Sequence, residues 1–121
     1  MKLLIAILLS SCISKLAPNV VYESNLSHRI NNNQISTLEN QNIFTFTNNV
    51  IYVERFTEGR PTVEVYKVEV VKCYENSCMY LLDDLQTLIS VKGRTIIINN
   101  LLRDGSVDQS ISTYYSKLTE L

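Results

Sequence analysis

The sequence has few residues of the kinds that build catalytic, metal and nucleotide sites. Its 121 residues include one histidine, three cysteines, three glycines, two prolines and no tryptophan. Isolated glycines cannot form a phosphate-binding loop, and no nucleophile motif surrounds His28, which we expect in a solvated loop. Two cysteines with one distant histidine cannot complete a soft tetrahedral zinc site. These absences favour a protein that is not an enzyme and that uses no metal and no cofactor.

Clusters of charge are also missing. The eleven lysines and arginines are scattered singly along the chain, whereas nucleic-acid binding requires clustered cations, so we expect no nucleic-acid partner. The only adjacent acidic pair, Asp83 and Asp84, would point to opposite faces of a strand and fits a turn better than a catalytic dyad. After the N-terminus, no run approaches the ~18 uninterrupted apolar residues of a membrane span.

The first residues have the layout of an export signal. Met1 and Lys2 precede seven apolar residues, "LLIAILL", and then small residues. Seven residues span only ~10 Å as a helix, far less than the ~30 Å hydrocarbon core of a bilayer. One cleavage reading takes Cys12 and Ser14 as the small residues of the site and removes residues 1–14. The product would be a secreted, extracellular protein.

The second cleavage reading rests on the stretch "LSSC" directly after the apolar run. Leu9, Ser10, Ser11 and Cys12 resemble the lipobox of bacterial lipoproteins. The resemblance implies a signal peptide of residues 1–11, a mature chain that begins with lipidated Cys12, and a lipid anchor in the cell envelope or outer membrane. The anchor would be the only contact with the membrane, and several acyl chains on one residue hold firmly.

The remaining cysteines form an even pair. Cys73 and Cys78 flank four residues, "YENS", which contain turn formers and lie between β-like stretches. A hairpin of that size brings the two Cα atoms within the ~4.4–6.8 Å that a disulfide requires. A Cys73–Cys78 disulfide agrees with export, because disulfides persist in oxidising compartments.

We expect a polar segment before the folded domain. Residues 12–42 would hold the anchor, a short tether and a loose approach with one marginal strand or helix, since the Asn-rich stretch breaks any helical stripe. Asn25 begins a formal glycosylation sequon, Asn25-Leu26-Ser27, which matters only in a eukaryotic or viral context.

Residues 43–121 are predicted to form a mainly β (α+β) domain. β-Branched and aromatic runs predict an antiparallel sheet or a small barrel or sandwich, built from about Ile43 to Asn99. A two-residue hairpin is predicted at Asn48-Asn49, because asparagine tolerates the positive φ of such turns. A change of phase near Tyr66 and Lys67 predicts a bulge or a bend between two packing surfaces. The predicted strands are 43–47, 50–56, 62–73 and 94–99.

Two later stretches are read differently. Residues 79–92 fit a helical stripe or two strands joined by an Asp83-Asp84 turn, and we favour the strands. Residues 106–121 favour a helix, because Ser106 and Gln109 make a capping box and apolar residues recur at helical intervals. We expect Ile111, Tyr115 and Leu118 to pack that helix on the sheet.

Tyrosines are the remaining candidates for a binding surface. Tyr52, Tyr66, Tyr74 and Tyr80 lie on or beside the predicted strands. The sequence thus predicts an exported, lipid-anchored envelope protein with a non-catalytic binding or structural β-rich domain. Its partner would be a protein or an envelope component. The alternative is a secreted viral or eukaryotic effector that binds a host protein.

Overall fold

The computed structural model describes residues 19–121, in which eleven strands form one antiparallel sheet. The predicted signal peptide, the lipobox, Cys12 and the tether predicted at residues 15–18 lie outside these residues. The strands are β1 (Val20–Ser24), β2 (Leu26–Asn31), β3 (Gln34–Leu38), β4 (Gln41–Phe46), β5 (Val50–Thr57), β6 (Arg60–Tyr74), β7 (Ser77–Leu82), β8 (Thr87–Lys92), β9 (Thr95–Leu101), β10 (Val107–Ser116) and β11 (Thr119–Glu120).

The sheet closes on itself. Its order is β11-β1-β4-β5-β6-β7-β8-β9-β10-β2-β3, and β1 runs into β2 through the single residue Asn25. This bent pair joins the two ends of the sheet, because β1 pairs with β4 and β11 whereas β2 pairs with β3 and β10. The first and last strands, β1 and β11, therefore lie side by side. The predicted antiparallel β fold is confirmed.

Strand β6 forms the opposite corner. Its first half pairs with β5 and its second half with β7, and the register shifts between Val68 and Val70. The extra residue, Glu69, exchanges the inward and outward faces of the residues that follow it. Tyr66 and Val68 therefore pack against the core before the bulge, and Val71 packs against it after the bulge. The bulge that was predicted near Tyr66 and Lys67 therefore exists at a sheet corner, but it lies at Glu69.

The predicted C-terminal helix is wrong. Residues 107–116 form β10, which pairs with both β9 and β2. A register shift between Val107 and Ser112 and a left-handed residue, Lys117, between β10 and β11 break the alternation of the strand. These two irregularities gave the apolar residues their helix-like spacing. Tyr115 and Leu118 are nevertheless buried, as expected.

The polar segment before residue 43 also differs from expectation. It contains β1, β2 and β3 and the start of β4 rather than a loose approach. Asn32 and Asn33, both with positive φ, make the two-residue turn between β2 and β3. A hairpin does join β4 to β5 at Asn48-Asn49, but neither of those asparagines has the positive φ that we predicted.

In the favoured reading, residues 79–92 are strands, and this is confirmed. They form the last four residues of β7 and the whole of β8, with Asp83 and Asp84 in the connecting turn. The Asp84 carboxylate accepts hydrogen bonds from the backbone N–H groups of Gln86 and Thr87 at 2.8 and 2.9 Å. The acidic pair is therefore a structural turn.

Inward-facing side chains fill the closed sheet. Phe44 stacks against Phe46 and meets Tyr115 edge-on, with ring centroids 4.7 Å apart in the second pair. The buried apolar residues come from β4, β5, β7, β8, β9 and β10 and from the residues after β10: Phe44, Phe46, Ile51, Val53, Tyr80, Leu82, Ile89, Val91, Ile96, Tyr115 and Leu118. One core therefore holds the strands together.

One end of the molecule, the disulfide end, carries the turns at residues 75 and 93 and the start of β1, since Val20, Glu75 and Gly93 line one cavity there. The turns at 48–49 and 83–86 lie beside the corner of β6, where the N–H of Val68 donates to the carbonyl of Asn49 and the N–H of Asp83 to that of Lys67. Residues 19–121 contain no helix long and apolar enough to cross a membrane.

Candidate functional site

A cavity of about 290 Å³ contains the strongest convergence of polar side chains, and we call it the arginine cavity. It opens where the β2–β3 hairpin faces the β5–β6 hairpin, over the inner surface of β9 and β10. Binding sites are typically apolar concavities in which a few placed polar groups select the ligand. Its walls are Arg29, Leu38, Arg55, Tyr66, Ile98, Thr113 and Tyr115.

The Arg55 side chain is fixed in the arginine cavity by contacts on two sides. One guanidinium nitrogen, Nη1, donates to the hydroxyl of Tyr115 at 2.8 Å, and the guanidinium carbon lies 5.9 Å from the centre of that ring. Tyr115 is 3% exposed and packs against Phe44. The guanidinium group is therefore fixed from the core side by a residue that cannot easily move.

A carboxylate covers the other side of Arg55. The Oε1 atom of Glu64 lies 3.0 Å from Nη2 of Arg55 and accepts a bond from Nε at 3.2 Å. The same oxygen accepts a hydrogen bond from the Tyr66 hydroxyl at 2.5 Å. Glu64 and Tyr66 lie two residues apart on β6, so their side chains leave the same face of the strand.

Electrostatics keep this cluster charged. Tyr66's hydrogen bond, followed by the Arg55 charge, outweighs burial and holds the pKa of Glu64 below its ordinary value. Burial, together with the bond to Glu64, raises the pKa of Tyr66 to about 12, so its hydroxyl remains a donor at neutral pH. Burial opposes the charge of Arg55, but Tyr115 and Glu64 outweigh it and raise the pKa of the guanidinium.

Arg29 supplies a second positive charge to the arginine cavity. It lies on β2, is exposed, and has no carboxylate within 4.0 Å among residues 19–121. The arginine cavity thus combines one arginine already paired with a carboxylate and one that is not. Its apolar walls are Leu38 and Ile98.

A second cavity, of about 330 Å³, lies at the disulfide end, and we call it the disulfide cavity. Cys73 and Cys78 form the predicted disulfide between directly paired residues of β6 and β7, with their Cα atoms 4.0 Å apart. Tyr74 and Tyr80 both line the disulfide cavity. Its charged neighbour is Glu75 in the hairpin turn, and it brings together no set of donors comparable to that around Arg55.

The four tyrosines predicted as a binding surface do not form one. Tyr66 lines the arginine cavity and Tyr74 the disulfide cavity, while Tyr80 is 1% exposed in the core. Tyr52 lies on the outer face of β5, opposite the exposed Val65. Only Tyr66 therefore belongs to the arginine cavity.

Two other candidates lie elsewhere. His28 is on strand β2 rather than in the expected loop, and its Nδ1 lies 3.1 Å from the Thr37 hydroxyl of β3. Asn25 is exposed at the bend between β1 and β2, where a sugar would meet solvent. Within residues 19–121, no group of three or more His, Cys, Asp or Glu side chains is placed to hold a metal ion.

Sequence reasoning missed Arg29, Arg55, Glu64 and Tyr115 as site residues. Arg55 and Tyr115 are 60 positions apart, and closure of the sheet alone brings them together. The spacing of Glu64 and Tyr66 was a readable signal, because residues two apart on a strand share a face.

The comparisons with known proteins add no relatives. No family model, no curated protein and no solved structure matches this chain.

Proposed function

We propose that this is an exported protein, lipid-anchored in a bacterial cell envelope, with a non-catalytic β domain that binds an envelope component or a protein. We further propose the arginine cavity as its binding site. The binding role is supported by the convergence of two arginines and two tyrosine hydroxyls on one opening. Ligand sites typically combine apolar walls with a few placed polar groups.

The position of β1 limits the distance between the domain and the anchor. β1 begins at Val20, at the disulfide end, eight residues after Cys12. Such a connection spans at most ~3.6 Å per residue, or roughly 29 Å. An acylated Cys12 would therefore keep the start of β1 within about 29 Å of the bilayer surface. The single observation that carries the proposal is the convergence of Arg29, Arg55, Tyr66 and Tyr115 on one cavity.

Two features support export. The lipobox-like stretch follows directly on a short apolar run. The Cys73–Cys78 disulfide fits an oxidising compartment, because cytosolic thiols are kept reduced.

Intact-mass analysis and membrane fractionation of the full chain expressed in a bacterial host test the anchor. We expect a mature protein that begins with acylated Cys12, and we expect Cys12→Ser to move it from the membrane to the soluble fraction. The control Ser14→Ala keeps the cysteine and should stay with the membrane. An unmodified chain beginning at Lys15, or one that retains Met1, would contradict the proposal.

The exposure of Asn25 favours a second candidate, a secreted effector of a eukaryote or its virus that binds a host protein. Expression of the full chain in a eukaryotic secretory host would then give a glycosylated product whose mass falls on treatment with a glycosidase. Asn25→Gln should abolish that shift. A product without glycan would remove the support for this candidate.

A further inference from the structure

We propose that the arginine cavity binds small molecules that carry one carboxylate on a short apolar body, and that Glu64 occupies the place of that carboxylate in the absence of ligand. This inference deepens the binding role proposed above and rests on it for the location of the site. It is independent of the lipid anchor.

Glu64 shows what the arginine cavity recognises. A single carboxylate oxygen receives the Arg55 guanidinium and the Tyr66 hydroxyl, at 3.0 and 2.5 Å. These donors would serve a ligand carboxylate equally well. Arginine has a planar fork that matches a carboxylate with two parallel hydrogen bonds. With Nη1 already fixed on Tyr115, the remaining donors of Arg55 point to the position that Glu64 now fills.

The Glu64 side chain is placed so that it can move away from Arg55. It is 46% exposed, against 30% for Arg55, so the carboxylate approaches the guanidinium from the solvent side. In this part of β6 the register pairs residues with β5 only, because pairing with β7 begins at Val68. A rotation of the Glu64 side chain into water would uncover Arg55 without disturbing the strand. An exposed ion pair is a weak competitor for a ligand.

Charge favours an anion once Glu64 has moved. The lining contains Arg29 and Arg55 and no carboxylate, and Glu64 lies beside it on Arg55. Arg29 has no ion-pair partner among residues 19–121, so the same anion gains a second attraction. One carboxylate between two arginines leaves the site near neutrality when Glu64 remains close by.

The other walls limit the rest of the ligand. Leu38 and Ile98 provide apolar contacts. The volume of about 290 Å³ lies at the lower end of the ~300–1,000 Å³ typical of ligand pockets. A short hydrocarbon body therefore fits.

Isothermal titration of the full chain with hexanoate tests this proposal, with 1-hexanol as a neutral probe of the same length. We expect saturable binding of hexanoate at neutral pH and at least tenfold weaker binding of 1-hexanol. The displaced Glu64 should appear as a shift of the Arg55 Nε–H signal in nitrogen-edited NMR spectra of the same titration.

Three variants assign the binding to this site. Arg29→Gln, at an exposed position that leaves folding unaffected, should weaken hexanoate binding several-fold, and Arg55→Gln should weaken it at least tenfold. Glu64→Gln removes the competing charge and should strengthen binding about two- to fivefold. The matched control Arg60→Gln changes the net charge equally at an exposed position outside the arginine cavity and should leave binding unchanged.

Several results would overturn the proposal. Equal binding of hexanoate and 1-hexanol would show that charge is not recognised. Displacement of hexanoate by inorganic phosphate at equal concentration would show a general anion site. Absence of hexanoate binding to folded protein, or equal losses in Arg29→Gln and Arg60→Gln, would remove the carboxylate ligand. The mass of the mature N-terminus would still decide the anchor independently of all these results.

Discussion

At the scale of single residues, Tyr115 connects the core to the arginine cavity. Its ring packs against Phe44, and its hydroxyl accepts the 2.8 Å hydrogen bond from Arg55. An arginine side chain that is only 30% exposed needs such partners, because a partly buried charge without them loses its hydration uncompensated. The hydroxyl therefore contributes to stability and also positions a binding group.

Tyr115→Phe should lower the free energy of unfolding by about 1–3 kcal/mol, because it removes the acceptor of a charged donor and keeps the ring. Urea denaturation followed by circular dichroism measures the change. Tyr114→Phe makes the same substitution at the adjacent position on β10, with a half-buried ring, and should cost less. Equal losses in the two variants would mean that the Arg55 bond contributes nothing.

Glu64 gives the cluster a pH dependence. Because the pKa of folded Glu64 lies below its ordinary value of 4.5, the folded state binds its proton less readily than the unfolded state. The stabilisation is complete above the unfolded pKa and is lost as the pH falls through the folded one.

Glu64→Gln should therefore cost about 0.2–1 kcal/mol near neutral pH, the range for an exposed ion pair, and nothing near pH 2. Urea midpoints measured from about pH 6 to about pH 2 check this. Glu69→Gln, on the same strand but outside the cluster, should leave the difference between the two pH limits unchanged. A constant cost of Glu64→Gln at every pH would contradict an electrostatic role.

At the scale of elements, β6 turns a corner by means of its bulge. Glu69 is the extra residue between Val68 and Val70, and it allows side chains on both sides of the corner to face the same core. Strand side chains alternate between the two faces of a sheet, so one extra residue moves every side chain after it to the opposite face.

Deletion of Glu69 should destabilise the domain by several kcal/mol. The deletion forces one half of β6 to turn its inward side chains, among them Tyr66 and Val68, towards solvent. Thermal unfolding is compared between the deletion variant and Glu69→Ala, which removes the exposed side chain but keeps the backbone residue. Glu69→Ala should change the free energy of unfolding by less than about 0.5 kcal/mol. A deletion variant as stable as Glu69→Ala would show that the bulge is dispensable.

The strands differ in how readily the sequence reveals them. β4, β5, β6 and β9 were predictable because they consist of β-branched and aromatic runs between turn residues. β1, β2 and β3 contain many polar residues, and they are strands because neighbours distant in sequence supply their hydrogen bonds. β10 has a bulge and a corner that imitate helical spacing, and a single sequence contains no sign of its two partner strands. The arginine cavity was unpredictable for the same reason, except for Tyr66.

At the scale of the whole molecule, the last strands complete the closure. Leu118 is 3% exposed, and its backbone N–H donates to the carbonyl of Arg94 in the turn between β8 and β9. β11 then pairs with β1, and the N–H of Leu121 donates to the carbonyl of Val21 at 2.8 Å. The segment after β10 is thus part of the core and not an appendage.

Leu118→Ala should destabilise the protein by about 2–5 kcal/mol, as truncation of a buried leucine does. Leu121→Ala makes the same change three residues later, at a side chain that is 63% exposed, and should stay within about 0.5 kcal/mol of the parent. Denaturant midpoints of the two variants provide the comparison. Equal midpoints would mean that Leu118 does not belong to the core.

The adjacency of the first and last strands has a consequence for timing during synthesis. β1 and β2 are made first, yet β2 meets β10 and β1 meets β11 only after about ninety further residues have been added. Until then, one edge of the growing sheet has no partner, and contacts so distant in sequence form slowly. The chain should therefore remain incompletely folded for most of its synthesis, and folding would be completed only after β10 and β11 have been made.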